Sequence, residues 1–418
     1  MRFINMSILS ARILLLPLLA IQWAKVDAFS KSPVPFRYKR YHLTVCSATS
    51  RRKVLGSGGG FFLGSLLGDK KEEQVANAAE VSGGDDLLAD LPMIRLRLPK
   101  AAVGREYVAL QLKIQGKGPF DFMVDTGLTT EMITPHLVQA LGINESGDKI
   151  RGLGAGGSTF SSLVPLKGAS LCCGNFGNQG QTELPLPELH AVVTDFPQEH
   201  IDPSHDPVEG MLGQEALSLF DLDLDFPAGR IRLWKPGTAG KQAAVKNGLV
   251  EIPAVVINES GLYGIRVNAP GSKQPVLGFI DCGATFSALN WAAAGYLGLP
   301  SKGDAKAYAN SPAIQAIGID GKPLLLATRK TQLTFAGNTE QDASTGGLSF
   351  QAPPSKWKPW DPVQIAIGDL PVFREVLGDG VRQYEGPACL VGLDILAQRR
   401  VILETGGTRR RRIWVSPQ

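Results

Sequence analysis

The stretch that decides the fold is "PFDFMVDTGLTTEMITPHLVQALGI", which runs from Pro119 to Ile143. An apolar run ends at Asp125, and a turn-forming glycine follows two residues later. A carboxylate at the end of a buried strand is unfavourable unless it is paired, hydrogen-bonded or used in chemistry. A second stretch of the same design, "PVLGFIDCGATFSALNWAAAGYLGL" (Pro275 to Leu299), places Asp281 at the matching point.

The similarity between the two stretches extends to their flanks. Each follows a segment that alternates with period two, "REYVALQLKIQGKGPF" or "GLYGIRVNAPGSKQPV", which predicts a hairpin. Each continues into a short helix, "TPHLVQALGI" or "NWAAAGYLGL". Thr134 and Asn290 are suitable N-caps, Pro135 fits the first helical position, and a Leu-Gly pair ends each helix.

A later pair of segments completes the repeat. "GMLGQEALSLFDLDLDFPAGRIRLW" and "CLVGLDILAQRRVILETGGTRRRRIWV" both read as an apolar strand into glycine, a turn of helix and two strands joined by a hairpin turn. Gly213 lies 88 residues after Asp125, and Gly392 lies 111 residues after Asp281. Four features in the same order predict an internal duplication, with a first half at 91–240 and a second at 247–418.

The composition is that of an ordinary globular protein, with 44% hydrophobic and 20% charged residues in 418. From Leu91 onward, short apolar or alternating runs broken by Gly, Pro, Asn and Asp predict an all-β fold. The formal charge of +4 is concentrated in residues 1–78, which leaves the remainder slightly acidic. A slightly acidic body argues against a nucleic-acid partner. Five cysteines at irregular spacing do not predict a disulfide framework or a zinc site.

The first 80 residues have the composition of targeting segments. Residues 1–28 carry a short apolar run after two arginines and predict a secretory signal, too short for a comfortable membrane span. Residues 29–80 begin as a basic, serine-containing transit peptide and continue with Arg51-Arg52 before a Gly-rich apolar run. Together they resemble the two-part leader of algal plastid proteins, with a twin-arginine signal for the thylakoid lumen. The alternatives for the location are secretion, the endomembrane system or mitochondria. The alternative for Arg51-Arg52 is that they are two further transit-peptide charges.

The two Asp-containing stretches resemble the active-site strands of the aspartic peptidases. "FMVDTGLTTEMI" is similar to the retropepsin strand, and "GFIDCGATFSALN" is similar to a second copy of it. Two copies in one chain imply the bilobal, pepsin-like arrangement of the double-psi β-barrel type, with two lobes related by a pseudo-twofold axis. The resemblance implies a monomer that acts on an extended polypeptide substrate, without a cofactor or metal and without a stable membrane span in the mature protein.

Paired carboxyls explain the chemistry independently of the resemblance. Two close carboxyls cannot both ionise, so Asp125 and Asp281 would share one proton. The ionised member takes a proton from water, and the protonated member hydrogen-bonds to the scissile carbonyl. Gly127 and Gly283 allow the tight turns and place N–H groups near the carboxylates.

The resemblance also assigns supporting residues. It implies that Thr126 forms hydrogen bonds across to the opposite half beneath the two acids, whereas Cys282 occupies the matching place with a weakly hydrogen-bonding thiol. Leu128 stands where the family usually has Ser, Thr or Ala, and Ala284 also lacks a hydroxyl. Because fewer donors reach the carboxylates, we expect raised pKa values and only a mildly acidic optimum.

A glycine-rich segment, "IRGLGAGGSTFSSLVPL" (Ile150 to Leu166), resembles the retroviral flap that closes over substrate. Its tip, Gly154, Ala155, Gly156 and Gly157, would lie against the substrate backbone. An exposed glycine-rich hairpin without this role is the alternative.

Other readings remain open. Cys282 and Leu128 are compatible with an inactive peptidase that binds peptides as a scaffold. The run "DLDLDF" (Asp221 to Phe226) is expected to be a half-solvated strand, and the histidines and aspartates of "EHIDPSHDPVEG" a surface loop, each with a metal site as the alternative. The adjacent Cys172 and Cys173 are expected in a strand, with a redox role as the alternative.

Overall fold

The computed structural model describes residues 12–13, 24–25, 86–98, 104, 106–145, 149–154, 157–177, 181–195, 198, 201, 204–257, 261–272, 274–309, 311–317, 323–341, 348–378, 383–405 and 411–418. Apart from 12–13 and 24–25, the predicted leader lies outside this part of the chain, as do residues 155–156 of the predicted flap tip.

Strands dominate the described residues. In the leader and the first half they are β1 Arg12–Ile13, β2 Ala24–Lys25, β3 Leu87–Pro92, β4 Ile94–Leu96, β5 Tyr107–Ile114, β6 Lys117–Val124, β7 Glu131–Ile133, β8 Lys149–Gly154, β9 Gly157–Leu166, β10 Ala169–Leu171, β11 Asn175–Phe176, β12 Leu184–Pro185, β13 Leu189–Val193, β14 Val208–Leu212, β15 Asp221–Asp225 and β16 Arg230–Trp234.

The second half contributes the remaining strands. They are β17 Val250–Ile252, β18 Val255–Ile257, β19 Leu262–Asn268, β20 Val276–Ile280, β21 Ala288–Leu289, β22 Ile314–Ile317, β23 Pro323–Thr331, β24 Thr334–Phe335, β25 Thr339–Gln341, β26 Leu348–Phe350, β27 Val363–Ile367, β28 Ala388–Val391, β29 Val401–Glu404 and β30 Arg412–Val415.

The helices are few and short. They are α1 Pro135–Leu141, α2 Gln214–Leu217, a π-helical segment Gly240–Val245, α3 Trp291–Tyr296, α4 Ala305–Tyr308, α5 Pro371–Val376 and α6 Leu393–Leu396. The predicted all-β fold class, with short helices, is confirmed. No helix in the described part of the chain is long and apolar enough to cross a membrane.

The two halves build sheets with the same strand order. In the first half the order β5-β6-β14-β7-β13-β9-β8 runs through an 11-stranded sheet. In the second, β19-β20-β28-β21-β27-β23-β22 runs through a 10-stranded sheet. The strand that leads into each aspartate, β6 or β20, pairs in parallel with the strand that leads into each glycine, β14 or β28. The repeat seen in the sequence is therefore a repeat of topology; the half boundaries at 91–240 and 247–418 stay predictions.

The predicted helix caps are confirmed at both matching helices. The side chain of Thr134 accepts a hydrogen bond from the N–H of Leu137 at 3.1 Å, and that of Asn290 accepts one from Ala293 at 2.8 Å. Pro135 begins α1, and Gly142 ends it in the left-handed conformation with φ of 67°. These caps fix the chain direction immediately after each Asp-containing turn.

A third sheet joins the two halves. Its order is β11-β3-β16-β15-β29-β30-β17, so strands of the first half and of the second half meet at the β15–β29 pair. The register places Leu222 opposite Leu403 and Leu224 opposite Val401. The backbone hydrogen bonds of this ladder hold the halves together.

Asp221 and Asp223 lie at this junction and are fully buried. Asp221 accepts hydrogen bonds from the N–H groups of Gly237, Thr238, Ala239 and Thr405 at 2.8–3.0 Å. Asp223 receives Nε and Nη2 of Arg400, at 2.8 and 2.5 Å, and Nε1 of Trp234 at 3.2 Å. The expectation of a half-solvated face on "DLDLDF" was wrong, because these carboxylates are satisfied inside the protein by groups from both halves.

Candidate active site

The two predicted acids meet at the seam between the halves. Asp125 and Asp281 are both 0% exposed. Their backbones are held alike, since the N–H of Asp125 donates to the carbonyl of Leu212 and that of Asp281 to the carbonyl of Val391, each at 3.0 Å. The strand that leads into the later glycine, β14 or β28, thus fixes the aspartate of its own half.

The following glycines make room for the opposite carboxyl. A Cβ atom on Gly127 would lie 2.6 Å from Cγ of Asp281, and a Cβ atom on Gly283 would come still closer to Cγ of Asp125. No side chain fits at such distances, so glycine is required at both positions. The reciprocal fit also shows that each carboxyl packs on the turn of the other half.

Each carboxyl has one oxygen held by its own turn. Oδ1 of Asp125 accepts the N–H of Gly127 at 2.8 Å, and Oδ1 of Asp281 accepts the N–H of Gly283 at 2.8 Å. Both Oδ2 atoms are buried without a donor from another described residue. A proton on one carboxyl allows it to donate to the other, which satisfies both atoms together.

The electrostatics favour a shared proton. Burial raises the pKa of Asp125 to about 7, and hydrogen bonds from Gly127, Asp281 and Leu128 offset part of the increase. Burial also raises the pKa of Asp281 well above its ordinary value, and the charge of Asp125 and a hydrogen bond with it raise it further. Two carboxyls in this environment bind a proton at pH values where an exposed aspartate is ionised.

The hydrogen bonding beneath the acids is one-sided. Oγ1 of Thr126 donates to the carbonyl of Ile280 at 3.1 Å and accepts the N–H of Cys282 at 3.0 Å. Within the described part of the chain, Sγ of Cys282 makes no return hydrogen bond to the backbone of the first half. Burial raises the pKa of this thiol to about 12, and a side-chain hydrogen bond with Thr126 offsets part of the increase. The thiol therefore stays protonated.

The residues after each glycine contribute no hydroxyl to the acids. Leu128 and Ala284 are both 0% exposed. Their carbonyls accept the N–H groups of Gln214, at 2.7 Å, and Leu393, at 2.8 Å, which tie each turn to the helix that follows β14 or β28. Their side chains add no donor, whereas their backbone N–H groups lower the pKa values of Asp125 and Asp281 slightly against the effect of burial.

Two neighbours of the site were not predicted from the sequence. Tyr107 begins β5, is 1% exposed and lies near both acids, whose charges, after burial, raise the pKa of its hydroxyl. Glu131 is fully buried in β7, where its Oε1 accepts the N–H of Ala216 at 2.8 Å. Burial, followed by the charge of Glu215, raises the pKa of Glu131 well above its ordinary value. The only sequence signal for Glu131 was its place shortly after the Asp-x-Gly turn, and Tyr107 had no such signal.

The predicted flap is a β-hairpin. The pairing of β8 with β9 begins with Lys149 opposite Ser162 and ends with Gly154 opposite Gly157. The strands therefore meet at the two predicted tip residues that the structure describes. Helix α5 of the second half packs against β8. Phe160, on β9, is 58% exposed. The hairpin of the first half therefore reaches across to the second.

The described residues contain no group of three His, Cys, Asp or Glu side chains arranged to hold a metal ion. In the loop for which a metal site was the alternative, Nε2 of His205 accepts the N–H of Arg97 at 3.2 Å.

One comparison with known proteins matches part of the first half to a family. Residues 110–216 match the family model described as aspartyl protease. Among solved structures, the chain is similar to basic 7S globulin from soybean, with 9% identity and a TM-score of 0.39 over 80% of this chain and 95% of that chain. No curated protein matches the chain. The family match of residues 110–216 supports a peptidase in general.

Proposed function

We propose that the protein is an aspartic-type endopeptidase in which Asp125 and Asp281 together activate a water molecule. The observation that carries the proposal is the reciprocal packing of each carboxyl on the glycine of the opposite turn. Two fully buried acids are unfavourable for folding unless they share a proton, and a shared proton is what this hydrolysis needs. The aspartyl-protease match of residues 110–216 points to the same reaction.

The two acids divide the work. The ionised carboxyl accepts a proton from water as the oxygen attacks the peptide carbonyl carbon, and the protonated carboxyl donates to the carbonyl oxygen. The resulting diol collapses as the C–N bond breaks: one carboxyl gives a proton to the leaving nitrogen and the other takes a proton from a diol hydroxyl, so the pair ends with one proton again. The N–H groups of Gly127 and Gly283 hold the Oδ1 atoms of Asp125 and Asp281 in place throughout the reaction.

The substrate would be an extended polypeptide under the β8–β9 hairpin. An extended chain can bind through backbone hydrogen bonds with little dependence on side chains. The contact of α5 with β8 and the exposed Phe160 support a lid that spans the seam. Gly154 and Gly157 at the ends of the paired strands suit a lid that bends.

Peptide cleavage tests this proposal directly. The purified chain is incubated with a random peptide pool from pH 3 to 8, beside Asp125→Asn and Asp281→Asn. The matched control is Asp121→Asn, on the same strand, whose carboxyl accepts from Gln111 at 3.0 Å outside the dyad. We expect cleavage by the wild type and the control, and loss in both dyad variants. Equal cleavage patterns in wild type and Asp125→Asn would refute the proposal.

A peptide-binding scaffold is the second candidate, favoured by the one-sided hydrogen bonding at Cys282. A statine-type inhibitor, which resembles the tetrahedral intermediate, distinguishes the two. Binding of the inhibitor by a wild-type protein that cleaves nothing would support the scaffold, whereas cleavage blocked by the inhibitor supports the peptidase.

We further propose that the protein acts in the plastid, with the thylakoid lumen as its compartment. The support is the composition of residues 1–80, with the basic segment that follows a short signal and the Arg51-Arg52 pair. A fusion of residues 1–80 to a fluorescent reporter tests this. Fluorescence outside the plastid would contradict it, and Arg51→Lys with Arg52→Lys should block lumen delivery without blocking plastid import.

A further inference from the structure

Two adjacent thiols lie on the same side of the backbone just after β10. Sγ of Cys172 and Sγ of Cys173 are 3.3 Å apart, and both cysteines are free. Successive side chains of an extended strand point to opposite faces, which would separate two neighbouring thiols. Cys173 breaks this alternation because its φ is +64°. The backbone conformation is therefore what brings the thiols together.

This conformation is unusual for a cysteine. Left-handed φ values are uncommon outside glycine, asparagine and aspartate, and glycine would adopt them without strain. Gly174 is the next residue, yet the left-handed position is Cys173. An unusual backbone angle at a chemically reactive side chain motivates a functional hypothesis.

Both sides of the turn are anchored, so the thiols are held in position. The N–H of Cys172 donates to the carbonyl of Gln111 at 3.1 Å. On the other side, β11 pairs with β3, and the N–H of Gly177 donates to the carbonyl of Leu88 at 3.1 Å. Gly174 fits so closely against Leu91 that a Cβ atom there would overlap it. The pair therefore links the sheet of the first half to the sheet shared by both halves.

The two thiols differ in accessibility. Cys173 is exposed, whereas Cys172 is 3% exposed and its Sγ lies 3.5 Å from the carbonyl oxygen of Gln111. Burial, followed by Cys173 itself, raises the pKa of Cys172 to about 12. Cys173 is thus the thiol that an external reagent meets first.

We propose that Cys172 and Cys173 form a redox-active dithiol that closes to a disulfide between neighbouring residues when a small-molecule disulfide oxidises it. The thiolate of Cys173 attacks the reagent, forms a mixed disulfide and releases one small thiol. The thiolate of Cys172 then attacks Sγ of Cys173 and releases the second small thiol. The reagent disulfide is reduced to two thiols, and the protein loses two protons and two electrons.

The second step is favoured by the geometry. The attack is intramolecular over 3.3 Å in the reduced protein, which gives it a high effective concentration.

The disulfide should also reopen readily. Consecutive Cα atoms are about 3.8 Å apart, whereas disulfide-linked Cα atoms are usually about 4.4–6.8 Å apart, so the closed ring is strained. Strained disulfides have more oxidising potentials and are the labile ones. We therefore expect a reversible modification rather than a structural bridge.

Oxidation of the full chain with glutathione disulfide tests the proposal. After incubation, free thiols are alkylated in denaturant and the peptides are mapped by mass spectrometry. We expect the peptide with Cys172 and Cys173 to lose two hydrogen atoms and to become unreactive toward the alkylating reagent. Cys282 and Cys389 should stay reduced and be alkylated. Dithiothreitol should restore both thiols. Phenylarsine oxide, which bridges close dithiols, should protect the reduced pair from alkylation.

The matched control is Cys173→Gly, because glycine keeps the left-handed angle and removes one thiol. Cys172→Ser serves the same purpose if the first variant does not fold. Neither should lose two hydrogen atoms or be protected by the arsenical. Stable accumulation of glutathione on Cys173, or two free thiols under conditions that oxidise a reference dithiol, would overturn the proposal. Asp125→Asn should oxidise like the wild type, since the pair does not need peptidase activity.

Discussion

Because the hydrogen bonding beneath the acids is one-sided, we expect Thr126→Val and Cys282→Ala to lower the free energy of unfolding by different amounts. Thr126→Val keeps the shape of the side chain and removes its hydroxyl. The carbonyl of Ile280 and the N–H of Cys282, at 3.1 and 3.0 Å from that hydroxyl, then lose a partner in a buried site. Each unsatisfied buried group costs about 1–3 kcal/mol, so for two groups we expect a loss of about 2–6 kcal/mol in the free energy of unfolding.

Cys282→Ala is the matched change in the other half. The thiol makes no return hydrogen bond to the backbone of the first half within the described residues, so its removal leaves chiefly a small cavity. Loss of one buried group of this size costs about 1 kcal/mol. If the two sides of the site were equivalent, as in a symmetric pair of threonines, both variants would lose similar amounts.

Urea unfolding followed by circular dichroism measures the difference. The slope of the free energy against urea must be the same in the wild type and both variants for the midpoints to report stability alone. We expect the midpoint of Thr126→Val to fall at least twice as far as that of Cys282→Ala. Equal shifts, or an unshifted Thr126→Val, would refute the assignment of the cross-link to Thr126.

Three further outcomes follow from the buried carboxylates. The raised pKa of Asp125 means that the folded chain binds more protons than the unfolded chain between about pH 4 and pH 7, so stability falls as pH rises through that window. Asp125→Asn should therefore raise the melting temperature over wild type, increasingly toward pH 7, and a gain confined to acid would contradict this. Cleavage by the wild type should peak above about pH 4, and Leu128→Thr, which supplies a hydroxyl donor to Asp125, should move the peak down by about one pH unit; an unmoved profile would count against that role. Asp221→Ala should lower the free energy of unfolding by at least about 3 kcal/mol because four N–H groups around this buried carboxylate lose their acceptor, and an unchanged urea midpoint would exclude this.

The sequence was informative where the physical cause is local. The alternating strands, the Thr134 and Asn290 caps and the glycines after each acid depend on near neighbours, and the structure places them as expected. The duplicated Asp-x-Gly pattern was enough to predict which two carboxyls meet. That prediction used a long-range relation, but the repetition itself encoded it.

The rest depends on packing between distant segments. The alternation of "DLDLDF" shows which side chains share a face, yet not that Arg400 and Thr405 of the second half cover that face. Tyr107 lies 18 residues before Asp125, and only the folded sheets bring it to the acids of both halves. The sequence showed that Cys172 and Cys173 are adjacent, but not that their thiols face each other, because a single left-handed angle decides this.

The sheet that runs through β15 and β29 has a consequence for how a polypeptide reaches the acids. Because main-chain hydrogen bonds cross from one half to the other, a hinge that separated the halves would have to break that ladder. The spacing of the two carboxyls is therefore set by a rigid floor shared by both halves. In the proposed function, a polypeptide would then reach the acids by bending of the β8–β9 hairpin, so we expect hydrogen exchange to be slower in β15 and β29 than in that hairpin.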